Sequence, residues 1–479
     1  MRQIVFGWVA AALLWSGLTA GAATFYTLRT TGNASNRLCI VFLSEGYTSS
    51  QTNLFLVDCT NALNSFFGGG IYPAEQPFLE YSNYFNAYAV FTNSAEAGSD
   101  HPQYSLFRST AFNSTYDVIQ DYIITIPTNT TGQGLVDGFI TNSSAPWNAG
   151  RYKLPVMIVN DTAGTAEAGG SGGVTSIVGK STAFNFQGIL VHESCHVLAG
   201  LGDEYEAGPG GFDFSSLPAE PNTTTNTVFA NIPWKLWINT NTTPIPTPNY
   251  PSGNPYDNDV GLFEGAHYSS AGWYRPKLNC RMRSVTTGIP LCEVCREALV
   301  KTFYSKVRGI DSASPANASI SITSNSPVAF SVTSLQPLTH TLSTQWQLNG
   351  SNVAGATNSA FSLNPATLTN GTYVLRAIVR DETDWVRNDP GALLSSTNTW
   401  NVTVSVPQLW IESPAALAGG QFRFTVRGAG VTNFTIKAST NLAAQWTSIS
   451  TNALVVGQFN FTNNPGLPLR FYRAVSPPQ

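Results

Sequence analysis

Residues 189–205 read ILVHESCHVLAGLGDEY, and this stretch decides how the rest of the chain is interpreted. His192 and His196 lie four positions apart, and Glu193 directly follows the first of them. On an α-helix, residues i and i+4 share one face, so both imidazoles can face one metal ion. The glutamate lies beside that face, where it can act on a water molecule at the metal. The stretch therefore predicts a helix over 187–201 that carries a two-histidine zinc site.

A third zinc ligand has to come from beyond this helix, because catalytic zinc takes three protein ligands and keeps one position open. On a continuous helix Asp203 would lie about 10 Å beyond His196, which is too far to share an ion. Gly200 and Gly202 allow the helix to end, because glycine adopts the left-handed conformation that terminates helices. Asp203 is then the first side chain that can fold back to the metal. Glu204 and a more distant residue remain as alternatives.

Such a site predicts hydrolysis of an amide bond. Zinc lowers the pKa of its bound water to about 7, and Glu193 would take the proton as the nucleophile forms. A further donor must stabilise the tetrahedral oxyanion. We choose Tyr274 as this catalytic donor from a set that the sequence does not rank. The other members of the set are Tyr205, His267, Tyr268 and Arg275.

The 479 residues are too many for one ordinary domain. Up to residue 308, apolar strands alternate with helices, which suits an α/β catalytic domain. Beyond 310, short alternating strands between Asn-Gly and Pro turns are typical of β-sandwiches. The strands predicted first are 38–43 and 155–159, and the helices are 51–67, 187–201 and 293–307. The predicted parts are a signal peptide (1–23), a catalytic domain (24–308), an Ig-like β-sandwich (309–406) and a small C-terminal β domain (407–479).

The N-terminus predicts export. One arginine precedes an apolar run, and Ala20-Gly21-Ala22 offers a small-x-small cleavage site. We therefore expect a secreted protein, extracellular, periplasmic or at the cell surface, with an uncleaved anchor as the alternative. No later segment reaches the roughly 18 apolar residues that span a bilayer. Charged residues make up 11% of the chain and the net charge is −4, which argues against a nucleic-acid partner.

The cysteines give a further expectation. All six precede residue 300, and an even number in an exported chain predicts disulfide bridges. Cys292 and Cys295 form a C-x-x-C pair, for which a redox site or a second zinc site is the alternative. We favour disulfides that involve Cys280. Residues 256–259 (YDND) are a weak candidate for structural calcium, since they lack a full ligand loop.

Several stretches outside the zinc helix match one known pattern. They are FLSEGYTSSQ (42–51), FTNSAEAGSDHP (91–102), GGSGG (169–173), VGLFEGAHYSSAGWYRPKLNCRMRS (260–284) and LCEVCREA (291–298). Together with HESCHVLAGLGDEY they resemble the IgA-peptidase-like family of zinc metallopeptidases, a group similar to the metzincins, over about residues 38–305. The chain departs from metzincins at Ala199 and Gly202, where those enzymes have a glycine and the third ligand.

The resemblance implies a metzincin-like α/β (α+β) zinc peptidase domain, here followed by two small all-β domains of Ig or fibronectin type. The implied roles are zinc ligand for His192, His196 and Asp203, general base for Glu193, and a turn beneath the zinc for Met282. The family's name points to immunoglobulin A as a substrate, although fold and zinc site do not fix specificity.

We therefore predict a monomeric, secreted, zinc-dependent metalloendopeptidase with one catalytic Zn²⁺ and a protein or glycoprotein substrate. The alternatives are a zinc-dependent amidase or glycopeptidase acting on mucin or cell-wall peptides, and a non-catalytic zinc-containing binding protein. The C-terminal β domains would serve surface or glycan targeting. Trp346, Trp385, Trp400 and Trp446 are candidate glycan platforms there, with burial in a sandwich core as the alternative.

Overall fold

The computed structural model describes residues 23–71, 73–118, 123–161, 170–172, 174–180, 186–206, 218–250, 253–286, 288–443, 445–463 and 470–476. Residues 1–22 of the predicted signal peptide lie outside these ranges. The chain forms two compact units. The first runs to Arg308 and includes segments 335–341 and 382–394, and the second comprises 309–334, 342–381 and the residues from 395 onward. Among the described helices, none combines the length and apolar character needed to cross a membrane.

A mixed sheet forms the centre of the first unit. Its strands are β1 (Thr24–Arg29), β2 (Leu38–Glu45), β3 (Phe85–Phe91), β6 (Tyr152–Val159), β7 (Gly170–Gly172) and β8 (Ser176–Gly179), and two short strands, β4 (Thr115–Tyr116) and β5 (Ile124–Thr125), pair outside it. The order is β1-β3-β2-β6-β8-β7. The four inner strands run parallel, and each edge strand is antiparallel to its neighbour.

Helices cover both faces of this sheet. They are α1 (Thr52–Phe67), α2 (Gln133–Ile140), α3 (Phe186–Ala199) and α4 (Glu293–Lys306). Leu38, Ile40 and Phe42 of β2 face the core that contains residues of α1, α3 and α4. The alternate residues of the same strand, Cys39, Val41 and Leu43, face the smaller core, which also contains Val136 of α2. A strand buried on both faces has to be apolar throughout, which explains the run LCIVFL.

The first unit is completed by a two-stranded ribbon, β9 (Phe263–Ala266) and β10 (Ser269–Arg275), paired antiparallel. The predicted strands at 38–43 and 155–159 and the helices at 51–67, 187–201 and 293–307 are confirmed, each with ends within a few residues.

The second unit consists of β-sheets, with two short 3-10 helices and no α-helix among its described residues. Its strands are β11 (Ile310–Ser314), β12 (Ser319–Ile322), β13 (Val328–Ser334), β14 (Ser343–Leu348), β15 (Ser351–Asn352), β16 (Ala360–Leu363), β17 (Gly371–Arg380), β18 (Ser395–Val404), β19 (Gln408–Ala416), β20 (Phe422–Ala429), β21 (Asn433–Ser439), β22 (Thr447–Ala453), β23 (Gln458–Thr462) and β24 (Phe471–Val475). The sheets have the orders β11-β13-β16, β12-β18-β17-β14-β15, β19-β20-β23 and β22-β21-β24. Multidomain, β-rich architecture is thereby confirmed.

Two separate hydrophobic cores lie in this unit. The larger one is built around Trp346 and Trp400, whose rings stack with centroids 5.5 Å apart and are fully buried. The smaller one is centred on Phe424 and Phe434. Because both tryptophans lie inside a core, neither can serve as the exposed glycan platform that the sequence left open.

The predicted disulfides are wrong for this structure. All six cysteines are described, and each is a free, buried thiol. Sγ of Cys280 lies 3.7 Å from Sγ of Cys295, whereas a disulfide requires about 2.05 Å. The number of cysteines does not indicate where the fold places them, and three of them lie together here.

Candidate metal centre

Helix α3 presents the two histidines side by side. Its apolar residues Ile189, Leu190 and Val191 are buried in the larger core, so this part of the helix is packed on more than one face. Because His192 and His196 are one turn apart, their Nε2 atoms approach to 3.1 Å. The helix therefore directs two imidazole nitrogens at one point, as the sequence pattern predicts.

The hydrogen bonds of the two rings fix which nitrogen is available. Nδ1 of His192 lies 3.0 Å from the carbonyl oxygen of Arg281, and Nδ1 of His196 is bonded to the carbonyl oxygen of Leu201. A carbonyl oxygen can only accept, so both Nδ1 atoms carry the hydrogen. Both Nε2 atoms can then present a lone pair, which is the tautomer required of a metal ligand.

The end of α3 brings in the third donor. The helix ends at Ala199, and Gly200 has the left-handed φ of +60° that the sequence predicts for the stop. The chain then turns back, so that Oδ1 of Asp203 lies 2.9 Å from Nε2 of His192 and 3.4 Å from Nε2 of His196. Apart from these two imidazoles, Oδ1 of Asp203 is a buried oxygen without a hydrogen-bond donor.

These three atoms fit a metal ion. Nitrogen and oxygen ligands at about 2.0–2.1 Å from a tetrahedral zinc lie about 3.3 Å apart. The observed separations of 2.9–3.4 Å between Asp203 and the two histidines are close to this value. Lone pairs that face one another in a buried site repel unless a cation or a proton lies between them. The donor set, two imidazoles and one carboxylate, is one that zinc takes in catalytic sites.

Electrostatics in the metal-free site support this description. Burial opposes the charged forms of both His196 and Asp203. The Asp203 carboxylate nevertheless raises the pKa of His196 to about 9, and the imidazoles hold the pKa of Asp203 well below its usual range. The Asp203 carboxylate therefore favours positive charge on its imidazole neighbours, and a metal bound there would take the place of a proton.

Glu193 lies close to the two histidines. One of its carboxylate oxygens is within 4.8 Å of the ligating nitrogens of both histidines. Burial raises its pKa, the neighbouring imidazoles lower it, and the Asp203 charge raises it further.

Residues 201–204 are held from three sides. Asn222 accepts from the Gly202 amide at 2.7 Å and donates to the Gly202 carbonyl at 2.9 Å. The Glu204 amide donates to the Met282 carbonyl at 2.8 Å. The Asp203 carbonyl accepts from the His267 amide at 2.8 Å. These contacts position Asp203, and they leave the Glu204 side chain directed elsewhere, at Asn222 and Cys295.

Two tyrosines surround Asp203: Tyr268 lies in the turn between β9 and β10, and Tyr205 lies in the loop after α3. The central residues of the β9–β10 turn, His267 and Tyr268, have left-handed φ of +52° and +61°, and Tyr268 donates its hydroxyl hydrogen to Oδ2 of Asp203. Tyr205 also hydrogen-bonds Asp203, and its ring lies nearly parallel to that of His192 at 6.3 Å. The metal-facing oxygen of Asp203 is therefore oriented through its second oxygen.

Tyr274, the donor chosen from the sequence, lies on β10. Its backbone pairs with that of Thr224, and burial and the neighbouring Glu264 charge raise the pKa of its hydroxyl. Two other candidates are engaged elsewhere. The His267 ring stacks on Trp273 at 3.8 Å, and Arg275 donates to backbone carbonyls. The alternation of side chains along a strand does not show which of these residues or Tyr268 contacts Asp203.

Three further predictions from the sequence concern Met282, Cys195 and residues 256–259. Met282 is fully buried in the turn that follows Cys280, directly after the residue whose carbonyl binds His192. Cys195 lies on α3 and is buried in the larger core. Burial raises the pKa of its thiol well above the usual value, so it remains protonated. Residues 256–259 are not among the described groups of side chains close enough to share a metal ion.

Replacing Tyr268 by phenylalanine should weaken zinc binding about tenfold, because removing an outer partner of a metal ligand costs 10- to 100-fold in affinity. Competition with a chromogenic chelator measures this dissociation constant. Tyr250→Phe, at an exposed tyrosine, is the matched control and should bind zinc as the wild type does. Equal affinity of both variants would show that the Tyr268 hydroxyl does not orient Asp203.

Gly200→Ala should destabilise the chain by about 1 kcal/mol, because a left-handed backbone disfavours a Cβ atom. No atom lies within 4 Å of the added Cβ, so the backbone conformation alone is tested. Gly138→Ala, within α2 and equally unobstructed, should stabilise by about 0.5 kcal/mol. Chemical denaturation measures both, and effects of equal sign would contradict the assigned helix end.

Comparison with known proteins bears on the same region. A family model described as IgA Peptidase M64 matches residues 26–254 and 250–303, which together exceed half of the chain. No curated protein matches the chain. Among solved structures, the fibronectin(III)-like modules of Clostridium thermocellum CbhA match at 8% identity, covering 31% of this chain and 77% of that one with a TM-score of 0.15. The Bacteroides uniformis beta-glucuronidase 3 matches at 10% identity, covering 43% and 28%, with a TM-score of 0.14.

Proposed function

Because this chain belongs to the IgA peptidase M64 family, we propose that it is a secreted, zinc-dependent metalloendopeptidase. In this proposal His192, His196 and Asp203 hold the zinc ion, and Glu193 is the general base. The observation that carries it is the convergence of Nε2, Nε2 and Oδ1 within 3.4 Å of one another, with the Glu193 carboxylate beside them. A peptidase acts on peptide bonds, so its substrate is a protein.

When bound, zinc would supply a Lewis acid that polarises the scissile carbonyl and makes water a stronger nucleophile. The protein's own residues do the rest. The Glu193 carboxylate accepts a proton from the attacking water and returns it to the nitrogen of the leaving amine. The carbonyls of Arg281 and Leu201 keep the imidazoles in the ligating tautomer. Tyr268 keeps the second oxygen of Asp203 occupied, so that the first faces the metal.

We also propose that the fold around the site is similar to that of the metzincins. The support is local: the helix stops at a left-handed glycine, the next acid turns back to the histidines, and a methionine-containing turn supplies the Arg281 carbonyl that bonds His192. Residues 280–284 form that turn, in which the amides of Arg283 and Ser284 both donate to the Cys280 carbonyl. Export of the chain remains a proposal that rests on residues 1–23 of the sequence.

A digest of a peptide library tests the proposed activity. The library should contain denatured proteins, unglycosylated peptides, glycopeptides and cell-wall peptides, with cleavage sites read by mass spectrometry. We expect cleavage within unglycosylated chains, its loss after treatment with a chelator, and its recovery on addition of zinc. Cleavage confined to glycopeptides or cell-wall peptides would favour the amidase alternative. Absence of any cleavage by the zinc-loaded protein would favour the binding protein.

A further inference from the structure

We propose that Glu204, Cys280, Cys292 and Cys295 bind a second zinc ion, which has a structural role. One ligand atom from each of these four residues lies within 4.8 Å of every other. All four residues are buried. They come from three separate parts of the first unit: the loop after α3, the turn at 280–284, and the start of α4. This site goes beyond the proposed activity and does not depend on it.

The interatomic distances match tetrahedral coordination. Zinc–sulfur bonds of about 2.3 Å and zinc–oxygen bonds of about 2.0–2.2 Å place two sulfurs about 3.8 Å apart, and a sulfur and an oxygen about 3.6 Å apart. Sγ of Cys280 and Sγ of Cys295 are 3.7 Å apart, and Sγ of Cys295 and Oε1 of Glu204 are 3.3 Å apart. The sulfur pair is far too long for a disulfide bond of about 2.05 Å.

The backbone around the cysteines is arranged to stabilise thiolates. Cys292 is the N-cap of α4 and Cys295 lies in its first turn, which gives the C-x-x-C spacing of zinc-binding proteins. The amide of Cys292 donates to Sγ of Cys280 at 3.3 Å. Amides at the start of a helix and the helix dipole both favour negative charge. A buried neutral thiol needs none of these donors, whereas a metal-bound thiolate benefits from them.

The fourth ligand has an oxygen that the protein leaves without a donor. Glu204 is fully buried, and its Oε1 accepts from Asn222 at 2.9 Å. Its Oε2 is buried with no hydrogen-bond partner. A buried carboxylate oxygen without a donor is costly, and the Cys295 thiol that bonds the other oxygen is a weak donor. A cation shared by this carboxylate and three sulfurs removes that cost.

Such an ion would connect the parts that build the catalytic site. Glu204 directly follows Asp203, and its amide donates to Met282. Cys280 directly precedes Arg281, whose carbonyl holds the His192 ring. The proposed ion would therefore fix the loop that carries the third ligand against the turn that orients the first histidine. Its role would be to position these segments, and it would make no contact with a substrate.

Metal content and cobalt absorption test the proposal in the full chain. We expect two zinc ions per wild-type chain by mass spectrometry of the metal. The double variant Cys280→Ala/Cys292→Ala should retain one. The matched control is Cys39→Ala/Cys59→Ala, which removes two buried thiols outside the cluster and should retain two. In cobalt-substituted wild type, we expect a thiolate-to-cobalt charge-transfer band, which two histidines and an aspartate cannot produce.

The His192→Ala variant separates this site from the proposed catalytic one. It should lose peptide hydrolysis and one zinc ion but keep the charge-transfer band. One zinc ion per wild-type chain without that band would overturn the second site, even where peptides are cleaved. A wild-type chain lighter by two hydrogens under denaturing conditions would also overturn it, since it would contain a disulfide. Two zinc ions with the band but no cleavage would contradict the proposed activity alone.

Discussion

Replacing Glu193 by glutamine should lower kcat for peptide hydrolysis by about 10³-fold, because a positioned general base contributes 10²- to 10⁴-fold. Glutamine preserves the shape of the side chain but cannot accept a proton from water. KM should change little, because the substitution leaves the rest of the surface that binds the substrate unchanged. A fluorogenic peptide taken from the library digest measures both constants.

Zinc content distinguishes this loss from a loss of the metal. The Glu193→Gln variant should bind as much zinc as wild type, because Glu193 lies beside the ligand atoms and is not one of them. Glu264→Gln makes the same chemical change at an exposed position on β9 and should keep full activity. If Glu193→Gln retained more than about a tenth of wild-type kcat, the general base would have to be another group.

Replacing Asp203 by alanine should remove one equivalent of tightly bound zinc and reduce activity to background. Loss of an outer partner already costs 10- to 100-fold in metal affinity, so loss of a ligand should cost more than about 100-fold. It would also leave two Nε2 lone pairs 3.1 Å apart without the carboxylate that favours a cation. The zinc retained after dialysis against a zinc buffer measures the effect.

The control for Asp203→Ala is Asp137→Ala, an exposed aspartate on α2, which should bind zinc normally. Circular dichroism should show the Asp203 variant folded, since the residue terminates no helix. An Asp203→Ala variant with wild-type zinc content and activity would refute this ligand. The assignment would then pass to Glu204 or to a residue farther along the chain.

Much of the fold around the site could be predicted because its signals are local. The two histidines and the glycines after α3 lie within one short stretch. The sequence alone indicates a helical backbone at the histidines and a helix end at the glycines. The strands at 38–43 and 155–159 are continuous apolar runs because both of their faces are buried. Periodicity and glycine preference act over a few residues, so one sequence is enough to detect them.

The surroundings of the metal ligands could not be predicted, because they depend on contacts between distant residues. The Arg281 carbonyl that orients His192 is 89 positions away, and the Tyr268 hydroxyl on Asp203 is 65 positions away. A backbone carbonyl leaves no trace in residue identity. Asn222 lies in an irregular segment where asparagine is common, so nothing in the sequence distinguishes it from its neighbours.

The disulfides were expected, and Tyr274 was chosen, from what a residue type usually does and not from where the chain places it. The disulfides are wrong for this structure, and the catalytic role of Tyr274 stays a prediction. Tyr268 reaches Asp203 because the turn before β10 bends through two left-handed residues, which residue type does not predict for histidine and tyrosine. The three clustered cysteines share their site with Glu204, which the sequence offered only as an alternative zinc ligand.

The turn between β9 and β10 has a consequence for attempts to make this protein more heat-resistant. Left-handed backbone at His267 and Tyr268 costs about 1 kcal/mol for each residue, and glycine would relieve it. A screen that selects on melting temperature alone would therefore favour glycine at the tip of this ribbon. At position 268 such a variant would lose the hydroxyl that holds Asp203. A higher melting temperature gained at position 268 would be accompanied by a lower catalytic rate. Engineering for thermal stability should therefore leave this position unchanged.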